Sequence, residues 1–412
     1  MRGKLRRNAV EAKSMRYVAW LQALCAVWAA AALAQSPVVD GALDAEFYGA
    51  ALSVQDTPTG FGNATNGHPR FAVGGSELDA AYARVSDGYL YLFLAGNLET
   101  YGQGLHWPTG NRNKLDVFID SIPGGQNSLR GDNAEVDGGA LGRMGHLDPA
   151  NDGLKFDAGF EADFYLTFQN YTEVVAYFSP PQVEAWRGML HYATLPTGGG
   201  GRSELLGLAM DATHTSHAAT FEFANGVKLG FNNGNAGGVR GVGEDGESDT
   251  TQAGAVGTGL ELAIPIHYVA AADGTIGGNI RILAFVNDSG HGHMSNQVLG
   301  PMGQTAGGYG NLGEPRQFNF SEAYSPGEQY FEVENGYFSA RAMLAPEDRG
   351  DGTSTCRWLG EVGHTYALQA TTNLATGEWA DVGEAIAATN PVLSAVATNA
   401  GPSGYYRARR TD

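Results

Sequence analysis

Apolar and polar positions alternate along most of this chain, and no long stretch keeps apolar residues at helical spacing. Residues 114–121 show the alternation best. Leu115, Val117 and Ile119 fall on one face of a strand, and Asp116, Phe118 and Asp120 fall on the other. Residues 80–85 and 89–95 are β-rich runs on either side of Ser86-Asp87-Gly88, a turn signal, and they predict a hairpin. Strand-like runs recur at 164–168, 173–178, 189–194, 219–223, 227–231, 259–264, 280–286 and 330–333. Residues 267–272, after Ile264-Pro265, predict one short helix. The pattern predicts an all-β chain folded as an antiparallel β-sandwich, jelly-roll-like, rather than a closed barrel.

Composition adds long loops and a second domain. Glycine supplies 60 of 412 residues, about twice the usual ~7%, without a fixed short period. With Asn and Asp it predicts tight turns and long Gly/Asn-rich loops, as at 198–201 and 234–257. The sequence changes character near residue 345. Residues 344–352 are polar and turn-rich and read as a linker between a sandwich at 37–343 and a small C-terminal β domain at 353–412.

The first 34 residues read as a signal peptide. Arg2, Lys4, Arg6, Arg7, Lys13 and Arg16 precede an apolar run at 17–33, and Ala32-Leu33-Ala34 gives a small-x-small cleavage pattern. The expected mature chain is secreted, extracellular or at the cell surface, with no stable membrane anchor. Residues 1–34 hold six Lys/Arg and one acid, so cleavage leaves 19 basic and 43 acidic residues, a net charge of −24. That charge argues against nucleic acid and anionic membranes as partners. Only Cys356 remains after cleavage, so no internal disulfide forms.

Several segments carry a family resemblance. Val39-Asp40-Gly41-Ala42-Leu43-Asp44 is followed by the hairpin with Leu90-Tyr91, the strand Val117-Phe118-Ile119-Asp120, and residues 259–265. This order resembles the family-9 carbohydrate-binding modules and their sugar- or haem-binding DOMON relatives. The resemblance implies a secreted antiparallel sandwich that binds sugar, often with calcium support. Residues 282–301 are similar to uncharacterised secreted proteins of environmental bacteria. The tail, with Tyr366-Ala367-Leu368-Gln369 and Tyr405-Tyr406-Arg407-Ala408-Arg409, resembles C-terminal modules of secreted bacterial proteins.

Candidate chemistry follows from residue type. Sugars stack on aromatic rings and need polar neighbours, which points to Tyr101 and Trp107 in the loop 99–112, and to Trp186 and Tyr192 in 182–192. Hard cations need several oxygens in a compact turn. Asp132, Asn133, Glu135 and Asp137 offer them for calcium (Ca2+), and residues 244–249 have a similar composition. His291 and His293 are weaker candidates for a transition metal or haem. Asp116 and Asp120 lie four apart on one strand, hence ~13 Å at ~3.3 Å per residue, too far for a glycosidase pair at ~5–10 Å. No catalytic signature stands out. The leading expectation is a non-catalytic binder of extracellular polysaccharide with calcium support. A structural cell-surface matrix protein and a carbohydrate-active hydrolase with an unrecognised acid pair remain open.

Overall fold

In a computed structural model of the chain, the described residues are 36–59, 76–98, 113–148, 152–176, 183–211, 218–235, 237–240, 249–272, 276–300, 311–322, 329–334, 344–349, 352–359, 365–372, 379–387, 392–398 and 405–410, with Gly274 and Met302. Residues Asp44–Gly49 form a single helical turn, α1 (Ala45–Tyr48), capped by Asp44 Oδ1 at 3.3 Å from the Phe47 amide.

The fold is all-β, and its main body is two antiparallel sheets. The first has six strands: β1 (Ser53–Val54), β2 (Glu77–Ser86), β3 (Tyr89–Asn97), β10 (Gly259–Pro265), β9 (Lys228–Asn232) and β8 (Ala218–Glu222), in that order. The second runs β12 (Met294–Leu299), β11 (Ile280–Asn287), β4 (Lys114–Asp120), β5 (Phe164–Ala176), β6 (Val183–Thr194) and β7 (Ser203–Asp211). β13 (Phe331–Val333) shares an edge of β11 with β12.

Sequence explains the register. Asp87 and Gly88 close the β2–β3 hairpin with φ of 49° and 79°, the positive values that a two-residue turn needs to match strand twist. Leu115, Val117 and Ile119 of β4 enter the core between the sheets with Leu90, Leu92 and Leu94 of β3 and Leu260 and Leu262 of β10. Phe168 of one sheet meets Phe231 of the other, with ring centroids 5.4 Å apart. Residues 164–168 and 173–176, the latter the described part of the run expected at 173–178, belong to one long strand, β5, paired along its length with β6.

A second core lies on the other face of the seven-stranded sheet. Phe118 points there, against Phe156, Tyr165 and Phe285. The chain between β4 and β5, with helix α2 (Ala140–Met144), and the segment after β12 supply Leu129, Leu141, Leu154 and Phe320 to this core. Arg143 of α2 grips Glu314 with both guanidinium arms, which fastens these two excursions together.

The C-terminal region has its own small core around Trp358, Tyr366 and Leu368. The stretch 344–352, expected as a linker, supplies β14 (Leu344–Asp348), an edge strand on β15 (Thr353–Leu359). β15 also pairs with β19 (Val392–Thr398), while β16 (Thr365–Thr371) pairs with β17 (Ala380–Asp381), β18 (Ile386–Ala387) and β20 (Tyr405–Arg410). Cys356 is a buried thiol in this core.

Candidate functional site

β4 builds two polar sites on one strand. Its residues facing the second core are Lys114, Asp116, Phe118 and Asp120. Phe118 separates a closed charge network on one side from an open cleft on the other.

The closed network centres on His291. The β11–β12 connection turns at Asp288, whose Oδ1 accepts from the amides of Gly290 and Gly292. This turn holds His291 at φ 55°, the left-handed region that few residues with a side chain adopt. The ring then reaches inward. Nδ1 lies 3.0 Å from Asp116 Oδ2, and Nε2 lies 3.0 Å from Asp137 Oδ2. Lys114 Nζ is paired with the same Asp137 oxygen. Tyr165 and Asn287 donate to Asp116 at 2.7 and 3.0 Å.

The electrostatics follow from this geometry. Burial pushes the His291 pKa down, but the Asp116 charge and the hydrogen bonds to both carboxylates outweigh it, and the net value rises to about 9. Burial pushes Asp116 and Asp137 up. His291, helped by the Tyr165 and Asn287 hydrogen bonds, more than offsets this for Asp116, and His291 with Lys114 does so for Asp137, so both end below the usual carboxylate range. Two cations thus meet two anions. His191 is different: burial, then the Lys114 and His291 charges, lower its pKa despite Asp137. It stands by as a neutral ring, its Nε2 3.6 Å from Asp137 Oδ1. Asp116 and His291 are withdrawn from water. The set has the form of an interior clamp, not of a site that receives substrate.

The open site is a cleft of 340 Å³ at the far end of β4, walled by Asp120, Asn127, Glu161, Asn279 and Arg281 and by glycine backbone at 124, 159, 277 and 278. Arg281 Nη1 lies 3.3 Å from Asp120 Oδ2, its Nε donates to Glu332 at 3.0 Å, and its guanidinium sits over the Tyr330 ring at 5.6 Å. The Asp120 carboxyl is pushed up by burial and by Glu161, against the pull of the Glu161 amide and Arg281. Asp163, just behind, accepts from the Ser121 and Ile122 amides at 2.8 and 2.9 Å. Burial first, then Asp120 and Glu161, raise it to about 7. Chemically, the cleft offers carboxylate acceptors with guanidinium and amide donors.

The structure disperses the residues that sequence singled out. Tyr101 and Trp107 lie outside the described residues. Trp186 lies on β6, its backbone opposite Thr172 and Asp211. Tyr192 is a core residue: it is 1% exposed, stacks on Phe164 and donates to Tyr268 O at 2.7 Å. It is therefore not a ligand platform.

The expected calcium turn also comes apart. Asp132 forms a two-pronged pair with Arg130. Asn133 exchanges hydrogen bonds with Gln126. Glu135 is exposed, and Asp137 turns to Lys114 and His291. Four oxygens at alternating positions need one curvature to converge, but here the turn opens into α2 through Asp137, Gly138 and Gly139, all at positive φ. Of residues 244–249 only Asp249 is described, and it caps Thr251. His291, considered for a metal, has both ring nitrogens engaged by carboxylates. Among the described residues, no group of three or more His, Cys, Asp or Glu gathers to hold a metal ion.

Sequence reading missed the partners of Asp116 and the cleft around Asp120. The available signal was their alternation with Phe118 inside an apolar strand, which places charges on a face that something must cover. Compared with known proteins, the chain matches no family model, no curated protein and no solved structure.

Proposed function

We propose that this is a secreted, non-catalytic binder of extracellular polysaccharide, and that the Asp120–Arg281 cleft is its glycan subsite. The observation that carries the reading is the lining of the cleft: the Asp120 and Glu161 carboxylates, the Asn127 and Asn279 amides and the Arg281 guanidinium surround an open volume of 340 Å³. Small-molecule sites occupy about 300–1,000 Å³, and sugar hydroxyls need donors and acceptors together. The cleft sits on strand ends and short turns, a rigid frame of the kind on which binding groups are usually carried.

Binding is favoured over hydrolysis by Asp163. Its pKa of about 7 would suit a general acid. Yet its Oδ2 is held by two backbone amides, and the residue is buried behind the cleft wall. The signal-peptide pattern and the acidic mature chain support an extracellular setting.

A glycan array on the mature chain, with Asp120→Asn and Arg281→Gln beside it, tests the reading. Losing a charge-assisted hydrogen bond costs about 1.5–3 kcal/mol, so each variant should bind at least tenfold more weakly. Retention of no glycan by the wild type would refute polysaccharide binding. Unchanged affinity of both variants would remove the cleft. Reducing ends released from the bound glycan would show an enzyme instead.

A further inference from the structure

The six-stranded sheet carries a second carboxylate pair, away from the cleft. Glu77 and Asp79 sit on β2, both with 0% exposure. Strand alternation turns Glu77 away from Leu78, which enters the inter-sheet core. A β-bulge between Leu78 and Ala80 makes Asp79 the extra residue, so it has no partner on β3. The two acids therefore share one spot, where Asn235 Nδ2 lies 2.9 Å from Glu77 Oε1 and 3.3 Å from Asp79 Oδ2. Among the described residues, no lysine, arginine or histidine pairs with either of them.

Other oxygens point to the same place. Asn97, opposite Glu77, donates through Nδ2 to Glu77 Oε1 at 3.0 Å and faces the Asn235 carbonyl at 3.2 Å. The Gly237 carbonyl is 2.6 Å from Asn235 Nδ2. One amide nitrogen with two hydrogens thus faces three oxygens. Two buried oxygens, Glu77 Oε2 and Asn97 Oδ1, have no hydrogen-bond partner. An unpaired buried acceptor costs about 1–3 kcal/mol, and two like charges out of water cost more. Gly238 completes the enclosure. At φ 101°, it brings backbone so close that a Cβ there would lie 2.2 Å from Asp79 Oδ1.

From this convergence we infer that Glu77, Asp79 and Asn97, with the Asn235 and Gly237 carbonyls, bind a divalent cation, and that the cation is calcium. Calcium takes six to eight oxygens from carboxylates, amides and carbonyls at ~2.3–2.6 Å with loose geometry. Two acids with neutral oxygens fit that donor set. Soft metals want sulfur or imidazole, and neither is present. The inference does not rest on the glycan reading, because the two sites lie on different sheets.

The competing account is a proton shared by the two carboxyls: burial raises both, and the neighbouring Asp79 charge raises Glu77 further. Calorimetric titration and thermal melts of the EDTA-stripped mature chain at pH 7.5 separate the two. Calcium chloride should give a saturable heat and raise the melting temperature, with magnesium weaker. Glu77→Gln keeps the shape and removes one charge. It should weaken calcium binding at this site at least a hundredfold while the metal-free protein melts no lower than the wild type. Asp79→Asn serves as an independent variant. A wild type indifferent to calcium in both heat and melting overturns the inference. So does a full calcium response retained by Glu77→Gln and Asp79→Asn.

Discussion

His291 Nδ1 lies 3.0 Å from Asp116 Oδ2, and neither residue has access to water. The pair joins the β11–β12 turn to the middle of β4, 175 residues apart in sequence. Asp137 takes the other ring nitrogen, which adds the loop before α2 to the same knot. A buried charge held this way fixes three segments at once. Removing one partner leaves the others unpaired, and breaking a buried pair typically costs about 3–5 kcal/mol.

That arrangement gives the clamp a pH signature. The raised His291 pKa contributes stability that is complete below the unfolded value of about 6.5 and is lost as pH rises through about 9. The depressed Asp116 and Asp137 contribute stability present above their ordinary value of 3.8 and lost as pH falls below it. The clamp is therefore strongest between about pH 4 and 6.5. His291→Asn tolerates the positive φ and removes the titrating charge. Urea unfolding should show it less stable than wild type by on the order of 3 kcal/mol at pH 6. The gap should narrow by on the order of 2 kcal/mol at pH 9.5. A gap that stays constant across that range would show that the imidazolium charge is irrelevant.

Tyr192 tests the difference between a core ring and a sugar platform. Its hydroxyl is the only part that a phenylalanine lacks, and it donates to the Tyr268 carbonyl in the interior. Tyr192→Phe should cost about 1–3 kcal/mol by leaving that carbonyl unpaired. Glycan affinity should stay where it was. Weaker glycan binding at unchanged stability would return Tyr192 to the ligand surface.

The alternation of β4 was legible in the sequence, as was the β2–β3 hairpin, because both depend on local period and turn chemistry. β12 was not. Its Ser295, Asn296 and Gln297 are all buried, and the last two reach distant partners: Asn296 donates to Pro58 O and Gln297 to Thr57 O. Such a strand looks like a polar loop until its neighbours are known. The candidate sites were harder for the same reason. Glu77, Asp79 and Asn97 come together through a bulge and a cross-strand register, and neither feature has a sequence signature. The turn at 132–137 has the right composition for calcium, but composition does not say that Asp132 will prefer Arg130.

The cleft should discriminate by charge. Asp120, Glu161 and Asp163 cluster around it, and its guanidinium is already shared by Asp120 and Glu332. The chain, at a formal net charge of −19, adds a general negative field. Affinity electrophoresis should therefore show retention by a neutral polysaccharide and little by a polyuronate. The difference should shrink for Asp120→Asn and at high salt, which screens exposed charges beyond ~10 Å at 0.1 M. Preferential retention by the polyuronate would mean that Arg281 is freer than its two carboxylate partners imply.

Gly96 links strand register to the inferred cation site. It lies on β3 opposite Leu78, at the step where the bulge shifts the pairing from Leu78 to Ala80. Its φ is 140°, and a Cβ there would lie 2.2 Å from the Glu77 carbonyl oxygen and 3.0 Å from Leu78 Cα. Both obstacles are backbone, so no side chain can swing aside. Gly96→Ala must push β2 and β3 apart at the residues that carry Glu77 and Asn97. The expected loss is about 2–5 kcal/mol, from backbone strain and overpacking together. Gly274→Ala is the control. Its φ is also positive, 78°, but nothing lies within 4 Å of the added atom, so only the left-handed strain of about 1–2 kcal/mol remains. Denaturant unfolding of the two variants should rank Gly96→Ala well below Gly274→Ala, and only Gly96→Ala should blunt the calcium response. Equal stabilities would mean that the bulge gives way easily, and that the geometry around Glu77 is softer than the close approach of Gly96 requires.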